Sequence, residues 1–191
     1  MEEAGAVYED TEVVTLPVEA WPRWRALRLA ALAQAPEAFG STLAEWSGPG
    51  DTEKRWRSRW VGVPHNLVLV RGGRDVAMVG LSGPSELEPP ELLSMWVAPE
   101  VRGTGVGDVA VEAVLALAAT TYPGQRVGLS VHEHNDRARR LYARHGFVDA
   151  GPSSDGPGER RMVHGARGPS ADGAAENGEV LTATTRSESP R

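Results

Sequence analysis

Glycines at alternate positions, Gly103, Gly105 and Gly107, stand between a β-type run and a long helical pattern, and this stretch constrains the chain more than any other. Glu91 to Val97 reads as a strand, and Pro99 ends it. Val106, Val109, Ala110, Ala113, Val114, Leu117 and Ala118 then recur at helical spacing until Pro123-Gly124 stops them. Glycine lets the backbone approach a ligand and adopt positive φ, and the first N–H groups of a helix are unpaired within it. A strand–turn–helix of this composition therefore offers amides to an anion. It is neither of two familiar phosphate turns. The dinucleotide fingerprint begun at Gly103 needs a glycine where Asp108 stands, and the Gly-Lys-Ser/Thr of a P-loop is absent.

The segments around this turn predict a single domain over residues 11–164. Val13 to Leu16 suits a first strand. Trp24, Leu27, Ala31, Leu32 and Ala35 form the apolar face of a helix opened by Pro22 and closed near Pro36. Thr42 and Glu45 have capping-box spacing for a second helix, which Gly48-Pro49-Gly50 interrupts and Asp51 restarts. Leu67 to Val70 and Asp75 to Leu81 flank Gly72-Gly73 as a hairpin, and Gly83 to Pro90 reads as a loop. Val127, Leu129 and Val131 alternate as a strand. Asn135 caps a helix bearing Ala138, Leu141 and Tyr142, Gly146 closes it, and Phe147 resumes extended chain. Residues 1–10 and 165–191 are polar and read as a flexible start and a disordered tail. Trp21, Trp24, Trp46, Trp56 and Trp60 read as core packing, with the wall of a substrate pocket as the functional alternative.

Composition removes several classes of function. The formal net charge is −6, without the clustered cations that nucleic-acid binding needs, so no nucleic-acid partner is expected and a cationic amine suits the chain better. There is no cysteine, hence no disulfide, thiolate metal site or acyl-cysteine intermediate. The chain shows no signal-peptide pattern and no apolar run of the roughly 18 residues a membrane span requires, which predicts no membrane association and a cytoplasmic location.

Two motifs carry a family resemblance. Arg102, Gly105 and Gly107 fill Arg/Gln-x-x-Gly-x-Gly/Ala, preceded by Val-x-Pro at Val97 to Pro99. Asn135 to Phe147 fills Asn-x-x-Ala-x-x-Leu-Tyr-x-x-x-Gly-Phe. In this order, with one helix and one strand between them, they resemble the GNAT superfamily of acetyl-CoA-dependent N-acetyltransferases. The likeness is strong from Leu92 to Phe147 and weaker from Trp21 to Trp60. It implies an α/β fold: a mixed, mostly antiparallel sheet flanked by helices, whose central strands splay to admit a pantetheine arm.

The resemblance also implies roles. Backbone groups of Met95, Trp96 and Val97 would meet the pantetheine and the thioester. The amides of Gly103, Thr104, Gly105, Val106, Gly107 and Asp108 would hold the pyrophosphate, with Arg102 at the rim. Asn135 would bind the pantetheine amides, and the Tyr142 hydroxyl would protonate the leaving thiolate. Glu91 is the first candidate for the base. His132 and His134 alternate on one strand face, but they lack a third ligand at recognisable spacing, and no metal is expected.

The implied activity is transfer of the acetyl group of acetyl-CoA, as cosubstrate, to a primary amine of a small molecule. A protein lysine or N-terminus as acceptor, and a CoA-responsive binding module without turnover, remain alternatives. Leu129-Ser130-Val131 departs from the Leu-Glu-Val common in the protein N-terminal branch. Oligomeric state stays open, a homodimer included.

Overall fold

The computed structural model describes residues 10–165, and within them two antiparallel sheets meet at one edge. The first has the order β1 (Thr11–Leu16), β2 (His65–Arg71), β3 (Arg74–Leu81), β4 (Leu92–Val97). The second has the order β5 (Val127–His132), β7 (Glu159–His164), β6 (Phe147–Pro152). Between the sheets the backbone contact is a single parallel bridge, Glu91 to Gly128, reinforced by the Gly128 amide donating to the Pro90 carbonyl at 2.9 Å. Beyond that bridge β4 and β5 diverge, and the resulting cleft is the fold's main functional consequence. The expected mixed, mostly antiparallel α/β architecture with splayed central strands is present.

Alternation in the strands assigns each face of the first sheet to a different helical layer. Leu67, Leu69, Val79 and Leu81 pack with Val106, Ala110, Val111 and Val114 of α4 (Val106–Thr121) in one core. Val68, Met78 and Trp96 point the other way, into a second core with α1 (Trp21–Gln34) and α3 (Glu53–Gly62). Trp24 and Trp56 are fully buried there, and truncating such a side chain costs about 3–5 kcal/mol. The five tryptophans of the first region pack in or against this core rather than lining the cleft.

Local signals set most boundaries. Pro22 lies in the first turn of α1. Thr42 and Glu45 form the full capping box of α2 (Leu43–Trp46), with bonds of 3.3 and 2.9 Å. The restart comes later than Asp51, because the Thr52 hydroxyl caps α3 by accepting from the Arg55 amide at 3.3 Å. Asp51 instead accepts from Arg25 and, at 2.8 Å, from the Trp56 indole, tying α1 to α3. Strand β4 starts at Leu92, one residue after the expected Glu91. The order β5-β7-β6 has no counterpart in the sequence reading, because β7 buries only Met162 of its six residues. The flexible segments expected at 1–10 and 165–191 fall outside the described residues, apart from Asp10 and Gly165.

Candidate active site

The cleft between β4 and β5 encloses about 840 Å³. One wall is β4 from Leu92 to Val97, and the other is the end of β5 with Asn135, Ala138, Leu141 and Tyr142 of the following turn and helix α5 (Asp136–Arg144). The glycine turn closes one end, and Ala35, Glu37, Ala38 and Phe39, just past α1, cover the other side.

Strand β4 is irregular where it borders the cleft. Met78 pairs with Trp96 and Gly80 with Leu93, so Ser94 and Met95 together oppose Val79. This is a β-bulge. Ser94 has φ +56°, a left-handed conformation unfavourable for a residue with a side chain. The Arg59 guanidinium holds its hydroxyl at 2.8 Å. The bulge interrupts regular pairing with β3 and leaves backbone polar groups of β4 for the cleft.

At the turn, Gly103 and Gly105 have φ of +82° and +89°, and Gly105 is the N-cap of α4. A Cβ at either would cost of order 1–2 kcal/mol in conformational strain. Among the described residues the amides of Gly103, Gly105, Val106 and Gly107 have no acceptor. The Thr104 amide bonds Val101 at 3.4 Å, and the Asp108 amide bonds Gly105 at 2.9 Å. The free amides lie at a helix N-terminus and border the cleft, which fits an anionic pyrophosphate.

The side chains of this turn have separate tasks. Arg102 donates to the Val97 carbonyl at 2.9 Å and to Gln34; burial and the neighbouring Arg137 lower its pKa against the pull of Glu100. Thr104 donates to Val101 and accepts from Arg71, each at 2.8 Å, outside the cleft. Val106 is in the core. Burial opposes ionisation of Asp108, but bonds from Arg144 at 2.8 Å and His145 at 3.0 Å outweigh it and hold its pKa below the usual carboxylate range. The Asp108 carboxylate thus fastens α4 to α5.

Asn135 caps α5 by accepting from the Ala138 amide at 3.1 Å, and its amide nitrogen has no partner among the described residues. Tyr142 is buried at the cleft wall, its ring edge-on to Phe147 with centroids 5.8 Å apart. Burial pushes the phenol's pKa up, keeping the proton on oxygen near neutrality. A protonated hydroxyl facing the cleft is able to act as an acid.

Glu91 is placed differently. It sits at the closed end where the two sheets meet and is not part of the cleft wall. Its carboxylate pairs with Arg161, which also contacts Glu88 at 2.9 Å. The Arg161 guanidinium lies across Gly128, where a Cβ would come within 2.3 Å of Nη2. Met95, Trp96, Val97, Arg102, the turn glycines, Asn135 and Tyr142 are brought together; Glu91 is not.

Several residues in and around the cleft escaped the sequence reading. Gln34, the last residue of α1, accepts from the Trp96 indole at 3.1 Å and from Arg102, linking the helical layer to β4 and the turn. Phe39 and Ser94 line the cleft, with arginines behind them. The rings of His132 and His134 lie 5.5 Å apart at the rim, and among the described residues no group of three or more possible ligands could hold a metal. Also among the described residues, no helix is long and apolar enough to cross a membrane.

A splayed sheet with a glycine turn at the helix N-terminus and a buried tyrosine opposite defines the class of an acyl-transfer fold. The family model described as acetyltransferase (GNAT) matches residues 27–147. The chain belongs to the GNAT acetyltransferase family and is an acyltransferase. No curated protein matches it significantly. Solved structures share the fold at low identity. The PaiA N-acetyltransferase of Thermoplasma acidophilum, in complex with coenzyme A, is 14% identical with a TM-score of 0.61, over 81% of this chain and 98% of that one. A chimeric spermidine N-acetyltransferase from Vibrio cholerae is 16% identical with a TM-score of 0.57, over 81% and 95%. The ribosomal-protein-S5-alanine acetyltransferase of Vibrio fischeri is 14% identical with a TM-score of 0.63, over 82% and 92%.

Proposed function

We propose that the protein moves the acetyl group of acetyl-CoA directly to the primary amine of a small molecule, without an acyl-enzyme intermediate. The observation that carries this reading is the pairing, across one cleft, of four acceptor-free amides at Gly103 to Gly107 with the buried, protonated Tyr142. The amides and the start of α4 take the pyrophosphate, and Arg102 lends charge at the rim. Asn135 and the backbone of Met95, Trp96 and Val97 align the pantetheine. The amine nitrogen forms a bond to the thioester carbon, the C–S bond breaks, and Tyr142 gives its proton to the departing sulfur.

An ammonium has a pKa of about 10.4, so the acceptor must lose a proton before it attacks. Glu91 serves as base only if its pair with Arg161 opens. The titratable groups already on the cleft wall, His132 and Glu37 among them, are better placed to accept the proton or pass it to water.

A small acceptor is favoured over a protein because the Ala35 to Phe39 segment covers one side of the cleft, the side assigned to the acceptor in this reading. The first test is thermal unfolding with acetyl-CoA against NAD and ATP, followed by CoA release with a panel of amines and peptides. Stabilisation by acetyl-CoA alone and faster turnover of small amines is the expected result. Preference for peptides would redirect the reading to protein acetylation, and binding without turnover of any acceptor would leave a CoA-responsive module.

A further inference from the structure

Behind Phe39 and Ser94 of the cleft wall lie two arginines without an ion pair among the described residues. Arg28, on α1, is 7% exposed; it donates to the Ser41 hydroxyl at 2.8 Å and stacks 4.3 Å over the Phe39 ring. Arg59, on α3, stacks 5.0 Å over Trp24 and donates to Ser94. No carboxylate approaches either guanidinium within 4.0 Å among the described residues. Burial lowers Arg28 to about 10, and burial together with the Arg28 charge lowers Arg59 to about 9, so both stay charged near neutrality.

Part of their donor capacity is unmet as well. Arg28 Nη1, Arg59 Nε and the indole Nε1 of Trp24 are buried donors without partners. Such groups are rare in a folded protein and mark a position for water, an ion or a ligand. Elsewhere in the molecule several more exposed arginines have carboxylates, Arg23 with Asp75 and Arg160 with Asp149 among them. Arg28 and Arg59 are sequestered without an ion pair among the described residues, and an isolated buried charge is the costly arrangement. Phe39 and Ser94, the partners of Arg28 and Arg59, both line the cleft, and Ser94 belongs to the bulge of β4.

Resting on the acetyl-transfer reading above, we propose that the acceptor carries a carboxylate next to its amine, as an amino acid does, and that Arg28 and Arg59 bind this carboxylate beside Ser94. The placement has a chemical consequence. In an α-amino acid one carbon joins carboxylate and amine, so anchoring the first at Ser94 delivers the second to the thioester at the bulge. Guanidinium groups suit the task because their planar N–H pairs match a carboxylate.

The experiment measures kcat/KM for individual amino acids against their decarboxylated amines and their amides, with O-phosphoethanolamine as a phosphate-bearing arm. Calorimetry of the same compounds with the enzyme–CoA complex supplies binding without turnover. Wild type should favour at least one amino acid over its decarboxylated amine by roughly 100-fold or more. Arg59→Gln and Arg28→Met should reduce that ratio below roughly 10-fold through KM, with Arg59→Lys keeping part of it and acetyl-CoA stabilisation unchanged in all three. Amines without the carboxylate turned over equally well would overturn the proposal and leave acetyl transfer standing. Preference for the phosphate-bearing arm would overturn the carboxylate assignment. Amino acids that bind in calorimetry, dependent on Arg59, but are never acetylated would uphold the anion site and sink the transfer reading. No binding and no turnover of any amino acid would overturn the proposal outright, whatever the variants do.

Discussion

The two ends of the cleft are built by different means. At the glycine turn the recognition groups are backbone amides, and their positions follow from a few consecutive residues: Gly103 and Gly105 at positive φ and the first turn of α4. At the proposed acceptor side they would be side chains from α1, α3 and β4 that are far apart in sequence, as with Arg59 and Ser94. In the proposed function the first end takes the cofactor, with groups that are local in the chain. The second end is assembled by packing, and it can change acceptor without disturbing the turn.

The comparison breaks most visibly at Tyr142, which in the proposed mechanism serves both ends. Tyr142→Phe should lower kcat by roughly 10²–10⁴-fold while acetyl-CoA still raises the melting temperature as in wild type. Full activity in that variant would remove the acid from our mechanism. Gly105→Trp attacks the turn alone. At a ligand concentration 100 times Kd, wild type should gain about 2.7 kcal/mol from acetyl-CoA, and the variant should gain almost nothing. An unaltered thermal shift would mean that the turn is not the pyrophosphate site.

Gln34→Ala tests the joint between the ends. It strips the acceptor from the Trp96 indole and from Arg102, and should cost about 1–3 kcal/mol in urea unfolding. KM should rise for acetyl-CoA and for the acceptor together; a rise in only one would show that the ends are independent. The smallest effect is confined to the acceptor-side scaffold. Bonds from Arg25 and Trp56 depress Asp51 to about 2. A carboxylate with a lowered folded pKa contributes stability above its unfolded value of about 3.9, and loses it as pH falls toward 2. Asp51→Asn should therefore flatten the acid side of a stability–pH curve below about pH 4, measured by thermal unfolding. An unchanged slope would show that the Asp51 bonds do not hold α1 to α3.

The contrast explains what could be read in advance. The capping box at Thr42 and Glu45, the Asn135 cap, and the strand–turn–helix around Gly105 are encoded within a few residues, and each is found in place. Strand β7 was illegible. Arg160, Arg161 and His164 break the apolar alternation, and the strand is held by ladders on both sides rather than by its own buried face. Glu91 has the right residue type on the right segment, yet Arg161, seventy positions away, draws its carboxylate to the closed end. The sequence shows a carboxylate; it carries no sign of which cation will claim it.

The amino-acid sequence by itself determined the family, the order of most elements and the glycine turn, because glycine conformational freedom, helix capping and hydrophobic period act over short spans of chain. The tertiary structure alone decided the bulge at Ser94, the joint at Gln34, the seat of Glu91 and the unpaired arginines behind Phe39. Each depends on which side chains distant segments bring within hydrogen-bonding range when their apolar faces are buried, and that choice belongs to the packed molecule.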